Sequence, residues 1–293
     1  MGRNWAVYNE ALVRRGEILL DLSILKGWGM ELKRMNMGKE GSRYRYPWSF
    51  IKLLGFIHTY FRLPYRQLEG FTRALTKWEP RLKVADYTTI CRRVNSLDMD
   101  LDPNIDREQD LVIALDASGI KVTNRGEWMR RKWKARRGYL KVHLAVDVRS
   151  KQILSMKVTD EKVGDGRVLK PLVKKAQKHG EVKRALADGG YDSKENFNFL
   201  AEEGIDPAIK VRKNSSKKAR GCWARKIVVT QYLRNPEGWK KKVGYGLRWM
   251  AETAFSTIKR LFGEHVTSRK FPNMVKEMLL KAALYNLFTN LNP

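Results

Sequence analysis

Three carboxylates in this 293-residue chain sit where a carboxylate needs a reason. Asp116 interrupts the apolar run LVIALDASGI (111–120), where a charge is costly unless it is paired, hydrogen-bonded or bound to a cation. Asp188 closes the run RALAD and leads into Gly189, Gly190 and Tyr191. Strand ends are where α/β sheets place ligands, and the glycines let backbone or phosphate come close. Glu252 lies in YGLRWMAETAFSTIKRLFG, with Tyr245, Arg248 and Lys259 on the same stretch. At about 100° per residue these four fall near 0°, 300°, 340° and 320°, a stripe about 60° wide. Leu247, Met250, Ala251, Ala254, Phe255, Ile258, Leu261 and Phe262 fall between about 140° and 280°, which gives the same helix a separate packing face. One glutamate among cations fits a metal ligand flanked by phosphate contacts. Taken singly, each acid also has an ordinary reading: a strand-end acid at a wet cleft, a turn-forming Asp-Gly, a solvated charged stripe.

The elements that would position these acids follow from periodicity. The segments 111–120, 139–148, 151–160, 182–188 and 208–212 read as strands, the second and third joined as a hairpin at Arg149–Ser150. Helices are expected at about 166–178, with Asp165 as N-cap, and at 193–203, with Asp192 as N-cap and Glu195 completing a capping box. The order β-β-β-α-β-α-β with later helices specifies an α/β (α+β) domain with a mixed five-stranded sheet, which is also the order of the RNase H-like fold. Upstream, apolar residues recur at helical spacing in 48–61, 65–75 and 87–97, with Asp86 as a cap, so the first hundred residues read as helical. Residues 97–106 read as a linker. The expected division is a helical domain over 1–106, with a helix-turn-helix-like part at about 48–97, and an RNase H-like domain over 107–293. The latter carries a short basic insertion at about 213–244, read as extended or partly β. The apolar segment 273–290 is expected to pack as core.

Charge narrows the class of partner. Lys and Arg number 59 against 31 Asp and Glu, a formal net charge of +28, which points to a polyanion. The excess is uneven: residues 1–110 hold 19 cations against 14 acids, the remainder 40 against 17. The basic runs 130–141 and 210–242 interleave Arg130, Arg131 and their neighbours with Trp133, Tyr139, Trp223 and Trp239, a mixture suited to phosphate contact and base stacking. Taken one at a time, these aromatics read as core. Within 87–95, Thr88, Thr89, Arg92 and Arg93 make the best sequence-reading helix, although the 76–85 connection is longer than a helix-turn-helix turn. His143 reads as structural, and Asp147, Asp160 and Asp165 as turn and cap residues. Cys91 and Cys222 are isolated, so neither a zinc site nor a disulfide framework is expected. With no signal peptide or membrane span in the sequence, a cytoplasmic, nucleoid-associated protein is expected.

The motifs together resemble a known family. Tyr245-x2-Arg248-x3-Glu252-x6-Lys259 matches the Y-(2)-R-(3)-E-(6)-K signature of bacterial and archaeal insertion-sequence transposases. ALDASGIK around Asp116, ALADGGYDSKENF around Asp188 and that signature, in this order, resemble insertion sequence family five. LPYRQLEGFTRAL and DYTTICRRV resemble that family's helical DNA-binding region. The resemblance implies an RNase H-like DDE transposase whose Asp116, Asp188 and Glu252 hold two Mg2+ (or Mn2+) ions. It implies cleavage at the element's terminal inverted repeats, then attack of the 3′-OH on target DNA. Arg248 and Lys259 would contact phosphate, Tyr245 would position DNA or pack, and a homodimer on DNA would join the two ends. With 63 residues between Asp188 and Glu252, a large insertion domain is not expected. The competing readings are a related nuclease or transposase relic without strand transfer, and a non-enzymatic basic nucleic-acid-binding protein.

Overall fold

The computed structural model describes residues 4–106, 108–122, 138–212, 214–218 and 220–291. Five strands form one sheet: β1 (Leu111–Lys121), β2 (Tyr139–Asp147), β3 (Ile153–Asp160), β4 (Val182–Ala187) and β5 (Asp206–Ile209). Their order is β3-β2-β1-β4-β5. The first three strands are antiparallel neighbours, while β4 runs parallel to β1 and β5 parallel to β4. This is the mixed α/β sheet expected of the RNase H-like arrangement. The near-continuous apolar stretches of β1 and β4 fit central strands covered on both faces. Ile113, Leu115, Ala185 and Leu186 are wholly buried.

The chain divides into two compact units, Leu101–Thr267 on one hand, Met1–Asp100 with Ser268–Pro293 on the other. In the sheet unit, a 3-10 turn at Asp165–Val168 leads into α6 (Leu169–Ala176), and a second at Gly189–Tyr191 precedes α7 (Lys194–Glu202). Asp165 opens its turn without capping it, and Ser193, whose side chain accepts from Asn196 N, caps α7 in place of the expected Asp192. The residues read as a free linker are partly tied down: Asn104 N donates to Gln152 Oε1 at 2.7 Å and Gln152 Nε2 to Asn104 O at 3.1 Å.

The basic stretch expected to be extended forms two helices, α8 (Trp223–Arg234) and α9 (Pro236–Val243). Its Val and Thr content imitates a strand, yet Val228 and Val229 are buried on one side of α8. Asn235 caps α9 by accepting from Gly238 N, with Pro236 at the first helical position, a start signal legible in Asn-Pro-Glu. Gly244, in the left-handed region at φ 67°, ends α9. A 3-10 turn at Tyr245–Arg248 then enters α10 (Trp249–Phe262).

The other unit contains α1 (Trp5–Ile18), α2 (Ile24–Asn36), α3 (Trp48–Phe61), α4 (Tyr65–Leu75), α5 (Tyr87–Asn95) and α11 (Phe271–Asn290). The last helix therefore groups with the N-terminal helices, although it follows the sheet unit in the chain. Gly55 lets α3 approach it: a Cβ there would lie 3.0 Å from Leu280 Cδ2. Asp86 caps α5 as expected, accepting from Thr88 N and Thr89 N.

Candidate active site

The parallel pairing of β1 with β4 is what brings the first two acids together. Ala114 is paired with Leu186. Two residues further along each chain, on the same face, Asp116 comes alongside Asp188, neighbouring strands being about 4.8 Å apart. Asp188 lies just past the end of β4, and its Oδ1 accepts from Gly190 N at 2.8 Å.

The third acid comes from α10, which lays Ala251, Ala254, Phe255, Ile258 and Phe262 into the core. The opposite face meets β1. Arg248 Nη1 is 3.7 Å from Asp116 Oδ1, and Arg248 Nη2 pairs with Glu252 Oε1, so one guanidinium joins two of the three acids. Further along, Lys259 Nζ donates to Ser118 Oγ at 2.8 Å. The backbone at Tyr245–Arg248 is 3-10 rather than α, so the angular reading holds from Arg248 onward. Tyr245 packs on Trp239, ring centroids 5.6 Å apart. Burial, with some help from the Asp188 charge, pushes the Tyr245 hydroxyl up to about 12.

The result is an open cleft of about 500 Å3 lined by Asp116, Ser118, Glu252, Ser256, Lys259 and Arg260, with Glu264 at its edge. Burial raises the pKa of Asp116, and the charges of Asp188 and Glu252 raise it further, against the pull of a backbone hydrogen bond and Arg248. The Asp116 charge is thus opposed by those of the other two acids. Burial works against the Arg248 charge as well, but Tyr245, Asp116 and Glu252 together hold it protonated. Among the described residues no three His, Cys, Asp or Glu side chains are gathered at ligand distance, Glu252 being turned toward Arg248. The donor set nevertheless fits a hard divalent cation, since carboxylate oxygens are what Mg2+ and Mn2+ take, and a dication would relieve the mutual repulsion.

Other expected contacts fall elsewhere. Arg92 is exposed on α5. Arg93, by contrast, is 6% exposed, its guanidinium 3.9 Å from the Trp48 ring centroid and 4.6 Å from that of Tyr44, and its Nη2 donates to Tyr46 O. It is held inside the helical unit and not presented to phosphate. Arg130 and Arg131 lie outside the described residues. His143 is buried and bonded to Thr159 Oγ1 at 3.0 Å, as a structural histidine should be. Asp147 and Asp160 accept turn N–H groups, from Ser150 and Lys162.

Sequence reading missed several residues. Ser118 could have been found, since it shares a strand face with Asp116 two residues away. Ser256 likewise follows Glu252 by one helical turn. Asp165 is no cap: it pairs with Lys141 Nζ at 2.7 Å and lies 3.4 Å from His143 Nδ1. Burial opposes its charge, but hydrogen bonds from His143 and Lys141 outweigh it and hold the carboxyl below its usual range. Asp192 is fully buried and bound by Arg225 at 2.6 Å and 3.0 Å, a pairing no local pattern announces.

Two family models, each described as a transposase DDE domain, match this chain, one over residues 107–287 and the other over 13–125. Among solved structures the chain is similar to a piggyBac transposase synaptic complex with hairpin DNA, at 11% identity and a TM-score of 0.42, over 94% of this chain and 74% of that one. It is also similar to a simian T-cell lymphotropic virus intasome in complex with PP2A regulatory subunit B56 gamma, at 14% identity and a TM-score of 0.28, over 67% and 65%.

Proposed function

This chain belongs to the transposase DDE domain family, whose chemistry is metal-dependent DNA cleavage and strand transfer, and we propose that Asp116, Asp188 and Glu252 are the acids that carry it here. The observation that supports this reading best is the parallel register of β1 on β4, which runs Asp116 alongside the strand end that Asp188 follows, Asp116 itself lining the cleft that Glu252 enters from α10. These three would hold two Mg2+ or Mn2+ ions. When bound, such a pair stabilises the attacking and leaving oxygens of an in-line phosphoryl displacement.

The chain's own groups supply the rest. Arg248 bridges Asp116 and Glu252 and would offer its planar fork to a phosphate once a cation takes those carboxylates. Lys259, steadied by Ser118, sets a positive charge on the same wall of the cleft, with Arg260 beside it. Within the family we assign the chain to insertion sequence family five, acting as a homodimer on the terminal inverted repeats and on target DNA in the cytoplasm or nucleoid. The N-terminal helices serve DNA binding, with Thr88 and Arg92 of α5 as the exposed reading positions. No helix among the described residues is long and apolar enough to cross a membrane.

The test is a labelled duplex carrying the DNA that borders the gene. Cleavage and end joining should require Mg2+ or Mn2+ and stop in EDTA. Cleavage in EDTA, or full activity in Asp188→Ala or Glu252→Ala, would sink the assignment; cleavage without joining would reduce the chain to a nuclease.

A further inference from the structure

Tyr191 follows Asp188 on the same 3-10 turn. Its side chain is 1% exposed, and its hydroxyl is buried without a hydrogen-bond partner. Buried hydroxyls nearly always find a partner, because leaving one unmade costs stability. Burial raises the phenol pKa first, and the charges of Asp165, Asp116 and Asp188 then raise it further, so the hydroxyl keeps its proton as a donor in the field of three carboxylates.

The neighbours are not equivalent. Asp165 already pairs with Lys141 and stands near His143, whereas Asp116 lines the open cleft and Asp188 is half-buried just past the end of β4. Gly190 keeps side chains out from between the two flanking acids. A Cβ there would lie 3.0 Å from Asp188 Oδ1 and 3.3 Å from Asp165 Oδ2. The backbone of the turn is fixed as well. Tyr191 N donates to Asp188 O at 3.2 Å, and Asn196 Nδ2 donates to Tyr191 O at 2.9 Å. A rigid turn therefore carries both the metal-holding carboxylate and an unmatched donor.

We propose that the Tyr191 hydroxyl is a positioning donor of the metal centre, hydrogen-bonding the Asp116–Asp188 pair when these carboxylates close on a divalent cation and fixing which of their oxygens face it. This rests on the assignment of those acids as the metal holders. The arrangement has the logic of other metal sites, where groups behind the ligands orient them and their loss weakens metal binding about 10- to 100-fold.

The test uses the full-length protein stripped with EDTA, with Mn2+ titrated by calorimetry and melting followed in EDTA. Tyr191→Phe keeps the ring and removes only the donor. Its melting temperature in EDTA should equal the wild type's or exceed it by about 2–4 °C, because an unpaired buried hydroxyl is gone. Its Mn2+ affinity should fall at least tenfold. Mn2+ affinity equal to wild type would overturn the proposal, and so would a lower melting temperature in EDTA, which would mean that the hydroxyl already supports the fold. Asp188→Asn separates the two levels. If it loses Mn2+ binding while Tyr191→Phe keeps it, the acids stand and Tyr191 falls. If Asp188→Asn binds Mn2+ like wild type, the metal assignment fails and takes the Tyr191 role with it.

Discussion

Asp188 and Asp192 lie on one short connection between β4 and α7, and the protein treats them in opposite ways. Asp192 uses its oxygens fully. Oδ1 accepts from Arg225 Nε at 2.6 Å, while Oδ2 accepts from Arg225 Nη2 at 3.0 Å, from Arg212 N at 3.2 Å and from Ser215 Oγ at 3.4 Å. Its side chain has no exposure. Asp188 is half-buried and accepts Gly190 N–H on one oxygen, beside a neighbour, Asp116, whose pKa its charge raises. A carboxylate that holds a fold together saturates its lone pairs with fixed donors. One that is to hold a cation keeps lone pairs available and accepts like-charged company. The Asp192–Arg225 pair also anchors α8 and the basic residues before it against the turn bearing Asp188, so the structural acid secures the frame in which the chemical acid works.

The contrast breaks most sharply at the acids themselves. Asp188→Ala, like Asp116→Ala or Glu252→Ala, should lower DNA cleavage by about a thousandfold or more, since metal-ion stabilisation of the transition state is worth several kcal/mol. Urea unfolding in EDTA should cost Asp188→Ala only about 1 kcal/mol, since it removes a single hydrogen bond, the one from Gly190 N. A large loss of stability in Asp188→Ala would erase the distinction from Asp192.

Asp192→Ala should do the reverse. It leaves Arg225, whose side chain is 19% exposed, without its partner, and breaking a buried pair costs about 3–5 kcal/mol. The lower end is expected because Arg225 keeps some solvent, and denaturant unfolding reads it directly. An unfolding midpoint equal to wild type would mean that the pair contributes nothing to the frame.

The same pair sets a pH dependence. Burial disfavours the charged form of Asp192, but hydrogen bonds from Arg225, Arg212 and Ser215 and the Arg225 charge outweigh it, so its folded pKa lies below the unfolded one. The unfolded chain then binds the extra proton first. The stabilisation is complete above an unfolded pKa of about 4 and is lost as pH falls through the folded value. Wild type and Asp192→Asn should therefore differ most near neutrality and converge below pH about 4 in chemical denaturation. A gap that stays constant down to pH 3 would assign the effect to packing.

How far these roles could be read from sequence depended on the range of the interaction. The apolar runs around Asp116 and Asp188 specified two strands, and their parallel register supplied the meeting point. Arg248 and Glu252, one turn apart, were legible from helical spacing, and Arg248 does pair with Glu252. Asp192 was read as a cap because a cap is the local use of an Asp before a helix, while its partner Arg225 comes from a distant helix. Arg93 fails for a related reason: a cation was read as surface, and only the fold sets it over Trp48 and Tyr44. The helices at 223–243 were hidden by β-branched residues within a basic run, although Asn235-Pro236 carried a helix start. Tyr245 stays in line with Arg248 although the helix arithmetic does not apply to it, because residues three apart eclipse in a 3-10 turn.

The cationic wall of the cleft gives the smallest effect and the finest version of the contrast. Lys259 and Arg225 are both held by partners, but Arg225 faces a carboxylate that consumes its charge, whereas Lys259 rests on the neutral Ser118 hydroxyl. A charge bonded to a neutral oxygen keeps its attraction for phosphate. Lys259→Ala should therefore weaken binding to a labelled DNA end about tenfold, roughly 1.4 kcal/mol. It should also flatten the dependence of log affinity on log salt by about one unit, the signature of one lost phosphate contact. Ser118→Ala should preserve that slope while costing less affinity, because it frees the ammonium without removing it. Equal slopes for Lys259→Ala and wild type would take Lys259 out of the phosphate contacts and leave Arg248 and Arg260 as the cations facing DNA.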